Sequence, residues 1–245
     1  MNLNKQLRSY LMLFLFLSLS FAIHAQKNEK DALSEKIEEY KEKFQVNSIY
    51  ESITDNHGDN CPLVYGTRNM RVVLHGIVYR GGANNVYNKN LIRDNKNPMP
   101  EEGLENLLNE GFSTAVYLYQ TNFSDVKQII GPDSNGRTLK YIQNSLSNDK
   151  EIRELLELVY RNILDPASGP IYLHCWNGWH QSGYASALIL MQFCNFTNEE
   201  AYRYWEKCAA GNLTKYRHIK NAIFAFKPYK EFNIPKEIKQ IICPG

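Results

Sequence analysis

The chain has 245 residues, 43% of them hydrophobic and 22% charged, with 28 Lys and Arg against 26 Asp and Glu. That length and apolar fraction suit one ordinary domain with its own core. The near balance of charge excludes a chain that binds nucleic acid through a strongly basic field.

The N-terminus reads MNLNKQLRSYLMLFLFLSLSFAIHAQKNEK. Lys5 and Arg8 make a positive start, Leu11 to Ile23 is nearly unbroken apolar, and small Ala25 precedes polar Gln26. This is the anatomy of a secretory signal peptide cleaved after Ala25. A membrane anchor is the alternative, but the apolar run is 13 residues, short of the roughly 20 that span a bilayer. No cysteine stands at the cleavage point to carry a lipid. The expectation is an exported protein, secreted or periplasmic, with no membrane span once the signal is gone. Loss of residues 1–25 removes Lys5 and Arg8 and no acid, which leaves the mature chain formally neutral.

Residues 26–47 carry Leu33, Ile37, Tyr40 and Phe44 at helical spacing, and predict an amphipathic helix leading into the domain. ESITDNHGDNCP is a polar loop. RVVLHGIVYRGG, Arg71–Gly82, predicts a strand or hairpin ending on two glycines, and the polar stretch up to Pro100 predicts another loop.

From Pro100 onward, strands and helices alternate. PEEGLENLLNEG predicts a helix stopped by Gly111. Ser113–Tyr119 predicts a strand, SDVKQII a short helix capped by Ser124, and Arg137–Gln143 a second strand. SNDKEIRELLELVYRNIL predicts a long amphipathic helix capped by Ser147 or Asn148. Pro170–His174 predicts a buried strand, and SGYASALILMQF a buried central helix beginning at Ser182. Two more helices follow, one capped by Thr197 and stopped by Gly211, the other over TKYRHIKNAIFAF. The last stretch, KPYKEFNIPKEIKQIICPG, predicts a surface tail. The expected divisions are a signal peptide (1–25), an N-terminal helix and loop (26–70), one catalytic-type domain (71–230) and a C-terminal tail (231–245). The alternation predicts an α/β fold, a single domain with a largely parallel central sheet flanked by helices.

The five cysteines are Cys61, Cys175, Cys194, Cys208 and Cys243. Export permits disulfides, and an odd count leaves at least one thiol free. If that thiol is Cys175, the other four form zero, one or two bridges. Cys194 sits in an apolar helical run and is expected to be a buried free thiol. No C-x-x-C pair or His-rich cluster points to zinc. Neither a metal nor a cofactor is expected.

The chemistry concentrates in IYLHCWNGWHQSG, Ile171–Gly183. A buried strand ends, Cys175 follows, and a short loop leads into a helix. Ligands bind beyond the carboxyl ends of strands in such sheets. A cysteine attacks as its thiolate. A short loop with inward amides and the positive end of a helix favour that form, and the same amides would cradle an anion such as phosphate. Ser182 can donate to the sulfur, Gly178 lets the loop turn, and Gly183 permits close packing.

The pattern His174, Cys175, Gly178, Ser182, Gly183 resembles the signature loop of the cysteine-based protein tyrosine and dual-specificity phosphatases. The similarity extends more loosely over about residues 72–227, where IVYRGG and GLENLLNEGFSTAVYLY look like the family's first strand and its helix-then-strand unit. The resemblance implies a dual-specificity-phosphatase-like fold and phosphoester hydrolysis through a cysteinyl-phosphate. It implies a binding loop made of His174, Trp176, Asn177, Gly178, Trp179, His180, Gln181, Ser182 and Gly183 around nucleophilic Cys175. His174 would be a buried residue that shapes the loop. Asp149 matches the general acid best, ahead of Asp125 and Asp133, and a helix-start aspartate favoured by the dipole is its plainer reading. Trp176 and Trp179 would wall a flat ligand, or else pack against neighbouring loops.

One position departs. Where the family has an arginine that grips phosphoryl oxygens with a planar fork, this chain has Gln181. Losing such an arginine in other phosphoryl-transfer enzymes costs roughly 10³–10⁵ in rate. Arg153, Arg203, Lys215 and Arg217 are candidate substitutes. Two readings follow: an exported phosphatase with an altered site, or a catalytically inactive pseudophosphatase. The partner is a phosphorylated or other anionic small molecule or a phosphoprotein, not nucleic acid. Thiol redox chemistry ranks last, because no resolving cysteine lies near Cys175 in sequence.

Overall fold

The computed structural model describes residues 30–58, 60–83, 98–211 and 213–243. The expected signal peptide and most of the loop before Pro100 lie outside the described residues.

A helix over residues 30–44, α1, opens the described chain. Leu33, Ile37, Tyr40 and Phe44 are all buried, as their spacing requires. The strands β1 (Thr67–Leu74) and β2 (Val78–Ala83) form an antiparallel hairpin. Then come α2 (Glu101–Asn109), β3 (Thr114–Tyr117), β4 (Ile129–Ile130), β5 (Leu139–Gln143), α3 (Asp149–Leu164), β6 (Ile171–Cys175) and α4 (His180–Phe193). The chain ends with α5 (Asn198–Cys208), α6 (Arg217–Ala225) and α7 (Lys236–Ile242).

The result is a single α/β domain built on one six-stranded mixed sheet of order β1-β2-β6-β3-β5-β4. The central pairs β2–β6, β6–β3 and β3–β5 are parallel, and the outer pairs β1–β2 and β5–β4 antiparallel. Alternate side chains leave the sheet on opposite faces. Ile171, Leu173, Val78 and Val116 join the core beneath α3, α4 and α5. Tyr172, Tyr79, Ala115 and Tyr117 join the opposite core, which Phe44, Leu107 and Phe112 complete. Every residue of β6 is buried, and so is every residue of α4 from Ser182 to Phe193. This strand–loop–helix unit is therefore held on all sides, and Cys175 ends its strand.

Four expectations need correction. SDVKQII is not a helix: it is a run of turns into edge strand β4, with the Gln128 carbonyl accepting from the Tyr141 amide at 2.8 Å. A seven-residue segment makes too few helical bonds to offset nucleation, and pairing with β5 satisfies its backbone instead. Helix α4 starts at His180, two residues before the expected Ser182. Cys194 is not a free thiol but bonds Cys243. The tail does not wander over the surface: α7 forms, and Phe232, Ile234 and Ile242 are buried in the main core. Among the described residues, no helix is long and apolar enough to cross a membrane.

Candidate active site

Cys175 is buried to 4% exposure at the carboxyl end of β6, and its Sγ lies 3.5 Å from Ser182 Oγ. The loop Trp176–Trp179 is pressed against the end of β2 through a Gly82–Asn177 bridge. Gly178 has φ +73°, and a Cβ there would meet Gly81 and Gly82 backbone at 2.6 Å. A Cβ on Gly82 would strike the Trp176 carbonyl at 2.4 Å. Two glycines face to face are thus what allows the loop to close.

The loop's carbonyls are held from outside. Asn69 Nδ2 donates to the Asn177 carbonyl at 2.7 Å, and Arg80 Nη1 donates to the Gly178 carbonyl. The His174 ring reaches the Cys175 carbonyl at 3.3 Å. A trans peptide points its C=O and N–H in opposite directions, so each pinned carbonyl turns the following amide away from its partner. Helix α4 makes its first intrahelical bond from the Gly183 amide to the Trp179 carbonyl, 3.2 Å. The amides of His180, Gln181 and Ser182 precede that bond and have no partner within the helix. No side chain caps this end. A buried thiol, an uncapped helix end and a loop with outward carbonyls together favour an anion.

His174 has no exposure, and burial pushes its pKa down to about 4. Tyr141 Oη accepts from the Met99 amide at 2.9 Å and meets His174 Nε2 at 2.8 Å. Its one proton therefore goes to Nε2, which places the imidazole proton on Nδ1, facing the Cys175 carbonyl. Tyr117, Tyr141 and Tyr172 stack around the ring at 5.3, 5.6 and 6.0 Å. His174 is thus a neutral strut of the loop.

A cavity of about 330 Å³ opens at the thiol. Cys175, Trp176, Asn177, Trp179, His180 and Gln181 all line it, joined by Tyr119, Lys215 and Tyr216. Gly178, Ser182 and Gly183 are buried behind this wall. His180 stacks on Tyr216 at 3.7 Å, and burial lowers its pKa. Gln181 does not aim its amide at the thiol: Nε2 donates to the Ser145 carbonyl at 2.7 Å. That bond ties the loop to the turn before α3.

Asp149 is not brought to Cys175 in this arrangement. It lines a larger neighbouring cavity of about 720 Å³, and its Oδ1 accepts from Tyr229 Oη at 2.5 Å. Tyr119, His180, Gln181 and Tyr216 form walls common to both cavities. Asp133 is engaged in a turn with Arg137, whose hydrogen bonds outweigh partial desolvation and lower its carboxyl pKa, and Asp125 is exposed and lines neither cavity.

Of the four candidate cations, only Lys215 reaches the Cys175 cavity. Arg153 pairs with Glu231, and Arg203 Nε donates to the Glu199 carbonyl at 3.4 Å. Arg217 is exposed at the start of α6. Sequence reasoning missed Arg80, which lies in β2 with no exposure. The available signal was an arginine inside an apolar run, immediately before the two glycines that meet the loop.

No protein-family model and no curated protein matches the chain. Among solved structures, P. aeruginosa TpbA is similar over 64% of this chain and 86% of its own, at 11% identity and TM-score 0.41. DUSP15 is similar over 70% and 94%, at 13% identity and TM-score 0.39. A human tyrosine phosphatase-like serine/threonine/tyrosine-interacting protein is similar over 62% and 94%, at 14% identity and TM-score 0.36. Identities this low assign no activity.

Proposed function

We propose that this chain is an exported phosphatase-like protein that binds a phosphoester in the loop after β6 and hydrolyses it slowly through Cys175. The observation that carries the reading is the thiol beneath an uncapped helix end, with Ser182 Oγ 3.5 Å from the sulfur. On this reading the thiolate attacks phosphorus and the ester P–O bond breaks. The leaving oxygen takes a proton, and water then cleaves the cysteinyl-phosphate. Asp149 is the proton donor in this scheme, after release from Tyr229. Gln181 brings no charge, which sets the expectation of low turnover. The ligand is a phosphorylated small molecule or a phosphoprotein. Export rests on the N-terminal sequence and is supported by the Cys194–Cys243 bridge, since such bonds persist in oxidising compartments.

A second reading is a pseudophosphatase that binds without turnover. It is favoured by the engagement of Gln181 with Ser145 and of Asp149 with Tyr229.

The test assays the purified protein with small aryl phosphates and phosphoinositides, beside Cys175→Ser and Gln181→Arg. The expected result is slow hydrolysis by the parent, none by Cys175→Ser, and a gain of about tenfold or more in Gln181→Arg. A parent that binds phosphate yet never turns over supports the second reading. Hydrolysis that survives in Cys175→Ser removes the thiol from the chemistry and ends the first.

A further inference from the structure

The loop rests on a buried cation that has no carboxylate partner among the described residues. The Arg80 side chain is fully buried. Nη1 donates to the Gly178 carbonyl, Nε donates to Tyr204 Oη at 3.2 Å, and Nη2 has no partner among the described residues. Among the described residues, no Asp or Glu forms an ion pair with it. Its titratable neighbours are the weak acids Tyr204, Cys208 and Cys175, which favour its charge, and another cation, Arg71, whose pKa is lowered by burial and then by Arg80. Burying a charge without an opposite one is costly, and proteins ordinarily pair such groups. Here the guanidinium is held under the loop and the first turn of α4: it touches Gly178, and a Cβ on Gly183 would stand 4.0 Å from Nη1. Arg80 does not line the Cys175 cavity, so it acts on a ligand only through the loop.

We propose that Arg80 is the positioning residue that supplies, from beneath the loop, the positive charge Gln181 lacks, and that the anion bound over Cys175 takes the place of the carboxylate partner Arg80 does not have. The inference rests on the phosphoester-binding reading above and names the charge that makes it work. Arg80 acts in two ways. Its hydrogen bond holds the Gly178 carbonyl down and so turns the Trp179 amide the other way. Its charge, screened little in a dry interior, attracts an anion across the loop. Lys215 is the rival source of charge, but it is exposed, and a flexible surface ammonium is screened by solvent.

The test is calorimetric binding of inorganic phosphate by the purified protein, with Arg80→Lys, Arg80→Gln and Lys215→Ala alongside. Arg80→Gln loses the charge, and its shorter amide ends where Nε stands, beside Tyr204. It is expected to weaken phosphate binding by about tenfold or more. Arg80→Lys keeps the charge and is expected to stay within about threefold of the parent, as is Lys215→Ala. Parent-like binding by Arg80→Gln overturns the proposal. An equal loss in Arg80→Lys also overturns it, because donor geometry and not charge then matters. Should the Arg80 variants fail to fold, Lys215→Ala decides: retained affinity supports Arg80, and collapsed affinity places the charge at the cavity mouth and overturns it. A parent that binds no phosphate overturns the phosphoester reading itself, a result distinct from the other three.

Discussion

Gln181 joins the Cys175 loop to the Ser145 carbonyl, and that bond explains how a neutral side chain can occupy the position without leaving a hole in the wall. The residues legible beforehand were those whose chemistry is local: Cys175 at a strand end, Gly178 in the turn, Ser182 beside the sulfur. Arg80 was not legible as a site residue, because its role comes from pairing of β2 with β6, which brings Gly81 beside His174. Local pattern cannot show which strand will lie next to the loop. Gly178 gives a sharp check at this scale. Its φ of +73° and the 2.6 Å approach to Gly81 and Gly82 leave no room for a methyl group. Gly178→Ala is expected to cost about 1–3 kcal/mol of stability and to abolish phosphate binding. Urea unfolding and calorimetry read the two effects, and a variant that folds and binds as the parent does would remove the tight loop from the account.

At the scale of elements, long periodic segments were legible and short ones were not. α3 begins where its cap demands, with Asn148 Oδ1 accepting from the Glu151 amide at 3.0 Å. α5 begins on a Thr197–Glu200 capping box. SDVKQII was misread because its apolar residues are few and its outcome depends on an open edge of β5. Cys194 was misread because its partner is 49 residues away, a distance that no local pattern spans. The bridge fastens the end of α7 to the end of α4, the helix that rises from the site. The double variant Cys194→Ser with Cys243→Ser is expected to lose about 2–4 kcal/mol of stability by the chain-entropy estimate. Thermal melting measures this, and an unchanged melting temperature would show that α7 docks without its covalent tie.

At the scale of the whole molecule, the alternation of strands and helices disclosed the α/β class and the parallel centre. Of the antiparallel edges, the β1–β2 hairpin was one of the two readings of Arg71–Gly82, while β4 was missed, since a two-residue strand carries little pattern. Two buried histidines give the fold a pH signature. His174 and His75 are held neutral by burial, with Lys41 also opposing charge on His75, and both pKa values are pushed down to about 4. The unfolded chain takes up protons below about pH 6.5 that the folded chain refuses until about pH 4. Their contribution to stability is therefore whole above pH 6.5 and is lost as pH falls from there toward 4. Near pH 5 unfolding is expected to take up about two protons from this source. The urea midpoint should fall between pH 7 and pH 5, and a flat midpoint over that interval would show that neither ring is buried as described.

The central claim, that the loop after β6 holds an anion over a thiol, has a direct measurement. Iodoacetamide modification of Cys175 is followed by mass spectrometry with and without inorganic phosphate, using half-buried Cys61 as the internal reference. The expected result is that phosphate slows modification of Cys175 several-fold and leaves Cys61 unchanged. Modification of Cys175 at the same rate at saturating phosphate would contradict the account.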